Sequence, residues 1–231
     1  MRGFATTAPV SVIIPVGPKP HHREYLGEML GSIEGQSLLP NEIILVNDGG
    51  PAIELVTWLC GSMASKVFIR EYQQPWNVGM VACWNCGVGL AQNELVLLVG
   101  ADDKLYGDCI EECLMSWERE RDPYGYYYLG VKYSDGREQN TPCNAAMVTK
   151  TLWRHTGGIP AAAAVGAPDH IFLSMMIAAS RKGLTPMRIL RISDDMLYWY
   201  RVGSQTESTR NIWPAIEAVK EYLHENWRPQ D

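Results

Sequence analysis

The chain has 231 residues, 46% of them apolar, and a formal net charge of −6, with a sequence pI near 5.4. That length and apolar content can bury a full core as one large domain, or as one domain with a small lobe. The mild acidity is unlike the basic footprint of a protein that grips nucleic acid by its phosphates. Apolar runs such as 10–16 and 94–101 are too short to span a bilayer, and the opening "MRGFATTAPV" lacks a signal-peptide layout. The expectation is a soluble, cytoplasmic protein without membrane insertion.

Apolar, β-branched runs alternate with amphipathic ones through the first half. "VSVIIPV" (10–16) reads as a strand before a helical pattern over 22–36; "NEIILVN" (41–47) precedes a helix over 51–61; "KVFIREY" (66–72) precedes one over 79–91. "ELVLLVG" (94–100) follows, then an acidic pair, then the helical "GDCIEECLMSWERE" (107–120). Four strand-then-helix units predict crossovers and a largely parallel sheet, whose strands, buried on both faces, read as near-continuous Val, Ile and Leu.

The second half is less regular. "YGYYYLGVKY" (124–133) and "MRILRISDDMLYWYRV" (187–202) read as strands, 168–183 as a helix closed by Gly183, and 214–227 as a last helix with Pro214 in its first turn. "AAAAVGA" (161–167), between "GGIP" and Pro168, reads as a loop. Six cysteines are present; the pairs Cys83/Cys86 and Cys109/Cys113 fall in helical segments, where reduced thiols on a packed face are expected over a zinc site.

Ligands of parallel α/β sheets bind beyond the carboxyl ends of the strands. Three stretches there belong to one edge: Pro15-Val16-Gly17, Asn47-Asp48-Gly49-Gly50 and Ala101-Asp102-Asp103. Two adjacent carboxylates at the end of a core strand repel each other, and need a reason to be there.

With "VSVIIPV", "LGSIEGQSLLPNEIILVNDGG" and "NVGMVACWNCGVGLAQNELVLLVGADD" the chain resembles the family-2 glycosyltransferases of the GT-A fold. The likeness covers about 10–106 closely and the rest more loosely. It implies an α/β fold with a Rossmann-like, mostly parallel central sheet flanked by helices and a smaller acceptor-side lobe. The whole chain, 1–231, would be one GT-A domain: 10–106 the half that binds the nucleotide sugar, 107–231 the acceptor-side half and C-terminal helix.

The resemblance also implies site residues. Pro15, Val16, Gly17, Asp48, Asn77, Gly79, Asn85 and Asp102 would hold the donor, with the Asp48 carboxylate accepting from an N–H of uracil or thymine. Asp102 and Asp103 would ligate Mn²⁺ or Mg²⁺, which neutralises the departing diphosphate and answers the question of the paired charges. Asp102 would otherwise serve as a helix cap near Gly107.

An acceptor hydroxyl needs a general base. In "TGGIPAAAAVGAPDHIFL" the matching residue is Asp169, which would otherwise be a helix-start carboxylate stabilised by the dipole. Gly157, Gly158, Trp153 and His170 fall on the acceptor side, Trp153 either as a sugar platform or as core, His170 as a shaping residue or an ordinary helix position.

The sequence departs from the family pattern at several points. Pro15-Val16-Gly17-Pro18 stands for Pro-x-Tyr-Asn, Gly100 replaces the first acid of Asp-x-Asp-Asp, Cys83-Trp84-Asn85 stands for Ala-Arg-Asn, and Tyr200-Arg201-Val202-Gly203 lacks the histidine of Tyr-Arg-x-His. Ser204 or Glu207 would complete the metal site. The function implied is an inverting, metal-dependent transfer from a UDP- or dTDP-sugar to an acceptor hydroxyl on a small molecule, a glycan, a protein side chain or a hydroxymethylated nucleic-acid base, though charge does not point to nucleic acid. A nucleotidyltransferase and a non-catalytic nucleotide-sugar-binding protein are the alternatives; "PVGPKPHHR" has the basic Lys19 and Arg23 the former would use, but its single glycine argues against that enzyme's glycine-rich phosphate loop.

Overall fold

The computed structural model describes residues 7–54, 63–142, 145–164, 168–202 and 213–229. Strands β1 (Thr7–Val16), β2 (Leu39–Asn47), β3 (Phe68–Gln73) and β4 (Leu95–Leu98) form a parallel block in the spatial order β3-β2-β1-β4. Successive residues of β1 feed opposite faces: Val12 and Ile14 join one core cluster, Ile13 the other. Burial on both faces explains the unbroken apolar run, and makes β1 the centre of the fold.

The sheet then changes character. β4 pairs antiparallel with β8 (Ala146–Thr149), β8 antiparallel with β6 (Gly125–Tyr133), and β6 parallel with β9 (Arg188–Tyr200). Short β5 (Lys104–Leu105) closes on β9, and β7 (Glu138–Gln139) pairs with β6. The expected parallel architecture thus holds for the donor-side half, while the second half is mixed.

Helices cover both faces. The pattern over 22–36 divides at Tyr25 into α1 (Pro20–Glu24) and α2 (Leu26–Glu34). α2 and α4 (Cys109–Glu120) pack Leu26, Met29, Leu30, Ile33, Ile110 and Cys113 onto one side. The other side receives α3 (Met80–Leu90), α5 (Lys150–Thr156), α6 (Pro168–Arg181) and α7 (Trp213–Asn226), through residues such as Val81, Trp84, Leu152, Ile171 and Leu223.

Besides the two-residue β5 and β7, two elements were not foreseen, β8 and α5. They join without a turn, and Thr149 caps α5 by accepting from the Leu152 N–H at 3.1 Å. Of the helix expected over 51–61, residues 51–54 are irregular and the remainder lies outside the described residues; Ala161–Ala163 forms a single 3-10 turn. Cys83, Cys86, Cys109 and Cys113 are unpaired, with burial raising the Cys86 thiol pKa.

Candidate functional site

Because β1 lies between β2 and β4, the ends of these three strands share one edge. Pro15 and Val16 are in register with Val46 and Asn47, and the Asp48 N–H donates to the Val16 carbonyl at 2.9 Å. The Asp48 side chain, 5% exposed, then reaches onward. Its Oδ1 accepts from the N–H groups of Val78 (2.6 Å) and Gly79 (3.2 Å), and its Oδ2 from Gly79 (3.1 Å). These bonds fasten the end of β2 to the start of α3, so the carboxylate expected to read a base first organises the loop that carries exposed Asn77. Gly79, with φ +86°, is there for its backbone: a Cβ would meet nothing.

Helix α1 lies over this edge. Arg23 donates to Asn47 Oδ1 (3.1 Å) and to the Pro51 carbonyl (2.5 Å), and its guanidinium fills the space a Cβ on Gly50 would need. That anchorage lays the half-buried His22 ring on Gly17, where an added Cβ would fall 2.1 Å from Nδ1. Burial holds the His22 pKa below its usual value, with help from His21, while the nearby Asp102 carboxylate opposes the shift. Nδ1 is buried against the Gly17 backbone, which also opposes the shift.

The acidic pair divides its work. Asp103 is 4% exposed; its Oδ2 accepts from the Tyr198 hydroxyl (2.6 Å) and its Oδ1 from the Arg201 N–H (2.8 Å). Burial foremost, then the neighbouring Asp102, pushes the Asp103 carboxyl up to about 7 against those two hydrogen bonds. Of the two carboxylates expected at the cation, Asp103 is turned into the fold, and half-buried Asp102 is left at the edge. Nor does Asp102 cap a helix, since the residue preceding α4 is Asp108.

Arg201 adds a cation there. Its Nε donates to the Asp102 carbonyl (2.8 Å), a terminal nitrogen to Glu28 (3.1 Å), and its guanidinium lies over the rings of Tyr25 (3.7 Å) and Trp199 (4.8 Å). Tyr25, Glu28 and Tyr198 were not singled out from the sequence. The signal available was the alternation of Tyr198 and Tyr200 in a strand ending just before Arg201, which becomes informative only once β9 is placed.

Asn85 reaches from α3 to the turn that follows α5. Its Nδ2 donates to the Ile159 carbonyl (2.8 Å) and its Oδ1 accepts from the Ile159 N–H (3.0 Å). A Cβ on Gly158, whose φ is +78°, would collide with that amide at 2.3 Å. Gly157, with φ +71°, ends α5. Trp153 is 6% exposed and packs on Phe172 at 5.2 Å between ring centres, which makes it core. Half-buried His170 lies on α6, its pKa lowered by burial and then by Lys220 of α7. Asp169 is the second residue of α6; its side chain, like Gly203, Ser204 and Glu207, falls outside the described residues.

The donor set suits a divalent ion that keeps phosphate and water oxygens. Such ions need one or two protein ligands, and the half-buried Asp102 at the edge can supply one. Among the described residues no three His, Cys, Asp or Glu side chains gather as a self-sufficient metal cage.

The curled, mostly parallel sheet with helices on both faces is an α/β fold of the GT-A type. The family model described as glycosyl transferase family 2 matches residues 11–176, and the chain belongs to that family. An uncharacterized glycosyltransferase, YwdF, of Bacillus subtilis (strain 168) is 38% identical over 78 residues, covering 34% of this chain and 28% of that protein. In fold the chain is similar to S. aureus TarS 1-349 in complex with UDP-GlcNAc (TM-score 0.73, 17% identity, 94% of this chain and 67% of that one). A TarS crystal structure of a longer chain aligns with TM-score 0.68 and 18% identity, covering 91% of this chain and 38% of that one.

Proposed function

We propose that this chain transfers a glycosyl group from a nucleoside diphosphate sugar of the UDP class to an acceptor hydroxyl, with inversion. The observation that carries the proposal is the division of the acidic pair: Asp103 is locked to Tyr198 and Arg201, and Asp102 is left open at the edge shared with Gly17 and Asp48. Family membership and the likeness to a chain crystallised with UDP-GlcNAc support the donor class.

In this reading the β1 and β2 ends hold the nucleoside, and Arg201 faces the negative charge that grows on the diphosphate. A divalent cation, Mn²⁺ or Mg²⁺, held by Asp102, would supply further neutralisation when bound. Asp169 takes the acceptor proton as the hydroxyl oxygen bonds to the anomeric carbon and the bond to the diphosphate breaks. Asn85 fixes the turn at Gly158 and Ile159 from α3, the helix whose start Asp48 holds, so the donor and acceptor sides share one strut. Among the described residues no helix is long and apolar enough to cross a membrane. Cytoplasmic action on a soluble acceptor is part of the proposal.

Thermal melting tests it. UDP or UDP-GlcNAc at millimolar concentration with Mn²⁺ raises the melting temperature, because a ligand bound only by the folded chain stabilises it. If neither uridine nor thymidine diphosphates move the midpoint with metal present, the donor-site reading fails.

A further inference from the structure

Helices α6 and α7 pack side by side, and between them lies a groove of about 500 Å³ that the donor edge does not share. One stripe of α6 forms its floor. His170, Leu173, Ser174, Ile177, Ala178 and Arg181 recur at three- and four-residue spacing, which puts them on one face of the helix. His224 of α7 and Pro142, beyond β7, supply the walls. Ser174 Oγ and His224 Nε2 share a hydrogen bond at 3.2 Å, and Lys182 Nζ donates to the His224 carbonyl. These bonds fix α7 against α6, so the groove is preformed.

Its lining is of two kinds. Leu173, Ile177 and Ala178 are apolar, and the last two are only half-buried, so part of that surface stays uncovered. Each ionisable side chain that lines it is basic: His170, Arg181, Lys182 and His224. No carboxylate contributes among the described residues, although the chain as a whole carries a net charge of −6. The acids of α7, Glu217, Glu221 and Glu225, line an adjoining depression, where Glu217 is bonded to Lys220 at 2.9 Å. Exposed Arg181 makes no hydrogen bond or ion pair among the described residues. A cation in the last turn of a helix suits the dipole, but the dipole accounts for neither the apolar floor nor the two histidines.

We propose that this groove binds a small organic anion with an aliphatic body, its charged head at Arg181 and its body over Leu173, Ile177 and Ala178. The volume is in the range of small-molecule sites. A guanidinium presents a fork of donors that fits carboxylate and phosphate alike, and Arg181 has that fork unoccupied by any described side chain. Such a ligand lies along the helix that opens at Pro168 and Asp169. Its binding does not depend on the transfer reading.

Butyl phosphate and pentanoate are the probes, with butanol and inorganic phosphate presenting a body or a head alone. One or both of the organic anions bind the wild-type chain with a millimolar or lower Kd and shift the Ile177 methyl resonances. Binding is at least about 5-fold tighter than that of inorganic phosphate, because the body leaves water for an apolar floor, and butanol alone does not compete. Arg181→Ala weakens it about 5-fold. Ala178→Glu, which sets a negative charge in the floor, abolishes it, and Arg119→Ala, on α4 across the sheet, leaves it unchanged. The tighter of the two probes identifies the head as phosphate or carboxylate.

If neither anion binds at tens of millimolar, the proposal is wrong. Binding that moves no Ile177 signal, that inorganic phosphate matches, or that Arg119→Ala weakens as much as Arg181→Ala is diffuse attraction to surface charge, and overturns it equally. Displacement of the probe by UDP puts the anion at the donor edge and also overturns it, whereas a chain that binds the probe but no UDP fails only the transfer reading. Should Ala178→Glu melt early, Arg181→Ala and the Ile177 shifts still decide.

Discussion

Tyr198 donates its hydroxyl to Asp103 at 2.6 Å, across 95 residues of chain, and the same oxygen accepts from the Gly100 N–H at 2.9 Å. The phenol therefore grips the strand-end loop at two points and turns Asp103 inward. Asp102, next in line, is left facing the edge. The division of labour between two adjacent carboxylates is thus set by a side chain from the far half of the protein.

Asp103→Ala should act on stability, and Asp102→Ala on ligand binding. Removing the Asp103 carboxylate strands a buried hydroxyl and a backbone N–H, at about 1–3 kcal/mol for each unsatisfied group. We expect a shift in denaturant midpoint worth about 2 kcal/mol or more. Asp102→Ala should stay within about 0.5 kcal/mol of wild type and lose the stabilisation by Mn²⁺ and UDP. A stable Asp103→Ala that merely loses metal binding would reverse these roles.

The raised Asp103 pKa also sets a pH slope in the metal-free chain. The folded carboxyl holds its proton up to about 7, whereas its ordinary value is 3.8. Between those values the folded state binds more protons than the unfolded state, so stability falls as pH rises. The contribution is fully present below about 4 and lost as pH climbs through about 7. Melting temperatures from pH 4 to 8 should decline in the wild type, with a flatter profile in Asp103→Asn.

The parallel half of the fold was legible because strands buried on both faces cannot hide their composition: Val12, Ile13 and Ile14 all meet apolar neighbours. β8 and α5 were not, since four strand residues run into a helix at Thr149 with no glycine or proline between them. At the site, the acidic pair was visible but its division was not, because that depends on Tyr198 and Arg201 arriving from β9. Asn85 looked like a donor contact by position; only the folded chain brings Ile159 to both ends of its amide.

Restoring the missing acid of the family pattern should harm this protein. A Cβ on Gly100 would fall 2.5 Å from Asp103 Oδ2, which Tyr198 holds in place. Overpacking of that kind costs about 1–3 kcal/mol, and Gly100→Asp would also add a third negative charge beside the pair. We expect a lower melting temperature and no gain in Mn²⁺ affinity. Calorimetric titration of the variant checks both, and a stable variant with tighter metal binding would refute the geometric account.

Asn85→Ala should separate the two sides of the site. It leaves both Ile159 backbone groups without their partner and opens space beside Gly158. A stability loss of about 1–3 kcal/mol is expected, with UDP affinity kept and turnover reduced, because the turn before the acceptor loop loosens while the Asp48 anchor does not. An equal loss of UDP affinity would return Asn85 to the donor side.

Asp169→Asn should keep donor affinity and abolish transfer. A general base matters when the acceptor proton moves and contributes little to holding the nucleotide; losing one typically costs on the order of 100-fold to 10,000-fold in rate. Asp169 is the second residue of α6, behind Pro168, where a carboxylate that served only the helix dipole would cost about 1 kcal/mol or less when replaced by Asn. Magnitudes that far apart separate a proton acceptor from a helix-start charge. Among the other carboxylates, Asp194 is paired with Arg191 at 2.6 Å, and Asp195 stands beside it in β9. The measurement pairs calorimetric UDP binding with turnover on a working acceptor. Near-normal turnover in Asp169→Asn would assign the proton to another carboxylate, with Asp195 and Glu207 the first to replace.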